Sequence, residues 1–139
     1  MRSPGRVGGQ GRTQERDEAG VDAADVGAVF AEGTATPLAD EVEATAVREV
    51  FGSAGIPPVT VPRAGYGHQH GASFATEIGL GLLASSERLV PPTPSAEPDP
   101  ALGLRLGDTA MSTESDTVVV NSFSRDGMST SSVISAPAG

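Results

Sequence analysis

The apolar positions begin late. Residues 1–20 are polar and rich in Gly and Arg, with a single valine. Such a stretch buries too little apolar surface to offset the entropy of ordering, so residues 1–12 are expected to be disordered. Residues 13–19 have the composition of closing helical turns, ended by Gly20. From Val26 to Ala31 the run VGAVFA is apolar at nearly every position, the pattern of a strand buried on both faces. Thr36-Pro37 then supplies a helix start, Thr as N-cap and Pro at the first helical position. Asp40, Glu41 and Glu43 fall in the early turns, where the helix dipole favours negative charge. Leu38, Val42, Ala46, Val47, Val50 and Phe51 form an apolar stripe that stops at Gly52, so an amphipathic helix is predicted over 37–51.

Pro57-Pro58 connects to a short strand at Val59–Val61, followed by a glycine-rich loop, residues 63–71, that carries His68 and His70. Residues 72–89 have helical length with Phe74, Ile78, Leu80, Leu82 and Leu83 spread around the axis. A helix apolar on all sides is a buried one. Gly79 and Gly81 each cost about 1 kcal/mol relative to Ala within a helix, which argues for another backbone in close approach. One face of this helix packs on the chain's own sheet, and nothing else in the chain is left to cover the other. The proline-rich segment 91–100 is an extended or turning loop. Short strands follow at Leu102–Leu106, Thr117–Val120 and Val133–Ile134, with Asn121–Ser132 expected as a polar hairpin loop. The order β-α-β-α-β-β-β is that of a mixed α/β layer fold over residues 13–136, with 137–139 as a tail.

Composition removes several chemistries. The 139 residues include no cysteine, which excludes a disulfide, a Cys-ligated zinc or a Cys nucleophile within this chain. A net charge of −9 argues against sequence-independent nucleic-acid binding. No apolar run approaches the ~20 residues of a membrane span, and no apolar segment follows Arg2 and Arg6 as a secretory signal requires. A cytoplasmic protein is the expectation. His68 and His70 lack an evident third partner for a metal, Gly65, Gly67 and Gly71 lack the Lys-Ser/Thr ending of a phosphate loop, and the many serines fall in no Gly-x-Ser-x-Gly elbow.

The landmarks occur in a characteristic order. Glu32-Gly33-Thr34-Ala35-Thr36-Pro37-Leu38 is followed by Asp40 and Glu43, then Val50-Phe51-Gly52. Gly67-His68, Gly71-Ala72 and Glu77 come next, then Pro91-Pro92-Thr93 with Asp99-Pro100, and last Asn121-Ser122-Phe123. Over roughly residues 15–136 this resembles the C-terminal half of a β-ketoacyl-acyl carrier protein synthase, a ketosynthase of fatty acid or polyketide assembly. The resemblance implies half of a thiolase-like fold, a mixed sheet with helices on both faces. In that family a cysteine of the N-terminal half takes the acyl chain. Two histidines of the C-terminal half assist decarboxylation of a malonyl unit and stabilise the oxyanion during Claisen condensation. Loss of CO2 creates an enolate, and donors aimed at its charge lower that barrier.

By resemblance, His68 falls on the second catalytic histidine, Arg63 takes the place of the active-site lysine, and Glu77 belongs to the polar network beneath the site. Thr34 and Thr36 match threonines that contact the phosphopantetheine arm of acyl carrier protein, a substrate carrier rather than a cofactor of this chain. They also serve as turn and N-cap residues. Glu32 replaces the first histidine. An ionised carboxylate only accepts hydrogen bonds, so it cannot stabilise an enolate, and it repels a malonyl carboxylate. The family's Asn-Ser-Phe-Gly-Phe-Gly-Gly loop reads here Asn121-Ser122-Phe123-Ser124-Arg125-Asp126-Gly127. Three functions follow as expectations: a catalytically incomplete, chain-length-factor-like ketosynthase domain; an acyltransferase assembled in trans with a Cys-bearing half; or a non-enzymatic truncated remnant. The implied partners are a ketosynthase subunit or N-terminal half, a second copy of the chain, and acyl carrier protein.

Overall fold

A computed structural model describes residues 20–94, 97, 99–124 and 126–137. The expected disordered segment 1–12, the helix end at 13–19 and Arg125 lie outside the described residues. Strand β1, Val26–Phe30, is buried along its whole length, as its unbroken apolar run requires. Helix α1 spans Pro37–Phe51, as predicted, with Thr36 as N-cap and Pro37 opening it. The Thr36 side chain makes no cap hydrogen bond, so the fixed φ of proline sets the start. Strand β2, Pro58–Thr60, is followed by a single helical turn, α2, Arg63–Tyr66. The long helix α3, Ser73–Glu87, ends at Arg88 in the left-handed region. The remaining strands are β3 (Leu89–Val90), β4 (Arg105–Leu106), β5 (Met111–Ser112), β6 (Thr117–Phe123) and β7 (Ser129–Ser135).

Five strands form one sheet in the order β4-β2-β1-β6-β7, while β3 and β5 pair in a separate two-stranded ribbon. β4, β2, β1 and β6 run parallel, and β7 closes the edge antiparallel to β6. The β1–β6 register shifts between Val26 and Ala28. A Cβ on Gly27 would lie 2.3 Å from Thr113 Oγ1 and 2.8 Å from the Ser115 carbonyl, so the bulge sits where only glycine fits. It also explains why Val26 and Ala28 face opposite sides. Val26, Val29, Val59 and Val119 pack with Val47, Val50 and Phe51 of α1. Ala28, Phe30, Val118 and Val120 pack with Ala84 of α3 and with Val90.

Several expectations need correction. The predicted loop Asn121–Ser132 is mostly strand, because β6 and β7 pair continuously out to Phe123 opposite Ser129. Polarity there does not mark a loop: Ser131 Oγ donates to Asn121 Oδ1 at 2.8 Å inside the fold, Ser129 and Thr130 are exposed, and Ser122 and Ser132 are half-buried. The predicted loop 63–71 contains α2 and a 3-10 turn at His70–Ala72. Leu38 leaves the core, at 74% exposed, and Glu43 takes a buried position instead. Of the two helix glycines only Gly81 is closely approached, and by side chains: its Cβ would stand 3.0 Å from Val120 Cγ2 and 3.3 Å from Ile134 Cδ1. Gly79 has nothing within 4 Å.

Helix α3 packs one face on the sheet, as expected, but it is not the buried helix its all-round apolar pattern predicts. Ser73, Glu77, Gly81, Ala84 and Ser85 are its buried residues, whereas Leu82 and Leu83 are 48% and 60% exposed. No described helix is long and apolar enough to cross a membrane.

Candidate functional site

The parallel strands β1, β2 and β6 end at one edge of the sheet, and three side chains gather there. Glu32 follows β1, Arg63 opens α2 after β2, and Glu77 reaches over from α3. They are only 4%, 6% and 0% exposed. Arg63 Nε donates to Glu77 Oε1 at 2.8 Å and Nη2 donates to Glu77 Oε2, a two-pronged pair of the kind guanidinium and carboxylate form best. Arg63 Nη1 donates to Glu32 Oε1. The other Glu32 oxygen, Oε2, accepts the Phe123 backbone N–H at 3.3 Å, which ties in the end of β6. Tyr66 Oη stands 3.5 Å from Glu77 Oε1.

A second carboxylate supports this arrangement from below. Glu43 of α1 accepts the backbone N–H groups of Glu32 and Gly33, each at 3.0 Å, and Asn121 Nδ2 donates to it at 3.4 Å. The turn at Gly33 needs glycine: its φ is +53°, and a Cβ would fall 2.4 Å from Val61 Cγ1. Sequence reasoning read Glu43 as an early-turn acid of α1 and as a landmark of the resemblance, without a place in the site. The available signal was its phase, since residues 43, 47 and 50 share one helical face.

The electrostatics follow from burial. Glu77 is pushed above the ordinary carboxylate range by desolvation, with Arg63 pulling back and Glu32 adding to the rise. For Arg63 burial opposes the charge, but the hydrogen bonds and charges of Glu77 and Glu32 prevail and hold its pKa above the usual value. Burial and the neighbouring Glu77 raise the Tyr66 hydroxyl. Each guanidinium nitrogen of Arg63 donates to a carboxylate, and both Glu32 oxygens accept. Such a set braces the fold.

The remaining candidates are at the surface. His68 and His70 are exposed, their rings edge-on with centroids 5.2 Å apart. Their loop is fastened by Gln69 N–H to Ser73 Oγ at 2.8 Å and by Thr76 Oγ1 to Gln69 Oε1 at 2.7 Å. Among the described residues, no group of three His, Cys, Asp or Glu could hold a metal ion. Thr34 and Thr36 are exposed on the loop between β1 and α1, Thr34 Oγ1 lying 3.4 Å from Asp40 Oδ1. The structure thus brings Glu32, Arg63 and Glu77 together and leaves His68, Thr34 and Thr36 on the surface.

Comparison with known proteins now becomes informative. The family described as beta-ketoacyl synthase, C-terminal domain, matches residues 9–97. The ketoacyl synthase beta subunit of the tetracenomycin polyketide synthase of Streptomyces glaucescens is 36% identical over 91 residues, covering 65% of this chain and 22% of that protein. The 3-oxoacyl-(acyl-carrier-protein) synthase 2 of Coxiella burnetii is 34% identical over 121 residues, covering 85% of this chain and 29% of that one. A solved β-ketoacyl synthase from Burkholderia phymatum superposes with TM-score 0.88 at 25% identity, over 96% of this chain and 33% of its own. The ishigamide ketosynthase/chain length factor gives TM-score 0.85 at 26% identity, over 94% and 32%. The chain spans 17% to 29% of the length of the curated relatives it matches. With a thiolase-like sheet and these relatives together, the chain belongs to the β-ketoacyl synthase family and corresponds to its C-terminal domain.

Proposed function

We propose that this chain serves fatty acid or polyketide biosynthesis as a catalytically incomplete, chain-length-factor-like ketosynthase domain that pairs with an active ketosynthase subunit. The observation that carries the reading is the buried Glu32–Arg63 pair. By resemblance these positions belong to the first catalytic histidine and to the lysine. Decarboxylation of a malonyl thioester needs donors facing the developing enolate. Here the group after β1 is an acceptor, and the cation opposite it is already engaged with carboxylates. Exposed Thr34 and Thr36 suit contact with the phosphopantetheine arm of acyl carrier protein. The solved assembly of a ketosynthase with its chain length factor from Xenorhabdus doucetiae, TM-score 0.74 at 27% identity, supports this kind of partner.

The test is release of CO2 and condensed product from malonyl-loaded acyl carrier protein. The purified chain alone is expected to yield neither. Decarboxylation by the chain alone that disappears in His68→Ala would overturn the reading. Condensation only after addition of a Cys-bearing ketosynthase N-terminal half, again lost in His68→Ala, would replace it with an acyltransferase assembled in trans.

A further inference from the structure

Glu32 is held in the way a bound carboxylate is held. Each of its oxygens takes a donor from a different element, Oε1 from Arg63 Nη1 and Oε2 from the Phe123 N–H. It lies beyond the carboxyl ends of β1 and β6. The connections of these adjacent strands leave in opposite directions along the sheet, β1 through α1 to β2 on one side and β6 by a hairpin to β7 on the other. Open parallel sheets take their ligands in that crevice. Glu77 occupies Nε and Nη2 of the guanidinium, so Nη1 is the nitrogen directed at an anion in the crevice. The backbone of Glu32 is fixed separately, by Glu43, and does not depend on its side chain.

We propose that the Glu32 side chain is an internal ligand: it fills a carboxylate-binding subsite made by Arg63 Nη1 and the Phe123 N–H, and the subsite accepts a free small carboxylate once that side chain is removed. Removing Glu32 takes the acceptor from the buried Arg63 Nη1 and from one bond of the half-buried Phe123 N–H, a costly state that a diffusible carboxylate relieves. Binding to the folded state alone then appears as stabilisation. Glu77 and Glu43 oppose a second anion, so the expected dissociation constant is about millimolar. This deepens the function proposed above and rests on it only for assigning the crevice to ketosynthase chemistry. The test reads stability with acetate as probe, so it can fail while the condensation assay stands, and the reverse.

In the full chain, Glu32→Ala is expected to lower the thermal unfolding midpoint by on the order of 10 °C. Sodium acetate should recover a saturable part of that loss, whereas equal sodium chloride or acetamide should not. Wild type and the Glu32→Ala/Arg63→Met double variant should not respond to acetate. No acetate effect on folded Glu32→Ala, an equal effect of acetamide, or a response retained without Arg63 would each overturn the proposal. Should Glu32→Ala fail to fold, Glu32→Gln keeps the volume and removes the charge. Its cost must shrink severalfold in an Arg63→Met background, and an equal cost in both backgrounds would overturn the proposal.

Discussion

The two long helices lie on opposite faces of one sheet and are built on opposite plans. Helix α1 turns Val47, Val50 and Phe51 toward the strands and its charged residues Glu41 and Glu49 toward water. Its Arg48 ties back to Glu41 at 3.1 Å and to the Leu102 carbonyl. Helix α3 turns Gly81, Ala84 and Ser85 toward the strands and leaves Leu82 and Leu83 outside. Small residues let α3 lie close on the sheet, Phe74, Ile78 and Leu80 pack at the margin of the same core, and Leu82 and Leu83 stand exposed. One helix thus keeps its apolar residues inward, and the other shows part of them to solvent.

The comparison breaks hardest at the buried charges. Arg63→Met leaves Glu32 and Glu77 buried without their cation and should cost about 3–5 kcal/mol, read as a fall in the urea midpoint at neutral pH. The same cluster sets a pH dependence. Because the folded-state pKa of Glu77 is raised above 4.5, the native state holds that proton more tightly than the unfolded chain. Its contribution is full below pH 4.5 and is lost as pH rises through the raised value. Glu77→Gln should flatten the decline in stability across that window, and an unchanged slope would show that the carboxyl does not titrate there.

Phe51→Ala should cost about 3–5 kcal/mol by opening a cavity under α1, while Leu83→Ala on α3 should change stability by less than about 0.5 kcal/mol. Equal losses would mean that α3 is covered within this chain. Within α3 the two glycines should diverge. Gly81→Ala, pressed onto Val120, should destabilise by about 1–3 kcal/mol, and Gly79→Ala, in open space, should stabilise by about 1 kcal/mol. The smallest effect on stability belongs to Leu82→Ser/Leu83→Ser, which should leave the unfolding midpoint nearly unchanged. It should nonetheless reduce the self-association and dye binding expected of the wild-type chain, measured by light scattering and fluorescence.

Legibility in the sequence followed the range of the interactions. Helix α1 was readable to the residue because a Thr-Pro start, an apolar stripe and a closing glycine are local signals. The β6–β7 hairpin was readable only in its apolar half, since its outer half is rich in Ser and Thr and its pairing is made by the backbone. The β3–β5 ribbon escaped because two residues carry no period. In the site, Glu32, Arg63 and Glu77 were each singled out by resemblance, and their mutual pairing was invisible across separations of 31 and 14 residues.

By itself the sequence determined the family, the buried central strand, the outer helix and the absence of a cysteine nucleophile, all matters of local pattern or composition. It also carried the excess of leucine on α3, of which Leu82 and Leu83 are exposed among the described residues. The tertiary structure alone decided that Glu32 and Arg63 neutralise one another and that the two histidines are exposed. It also decided which of the two glycines lies against the sheet. The reason is physical: the free energy of a buried charge depends on what the fold sets beside it, and residues distant along the chain become neighbours only when the strands pair.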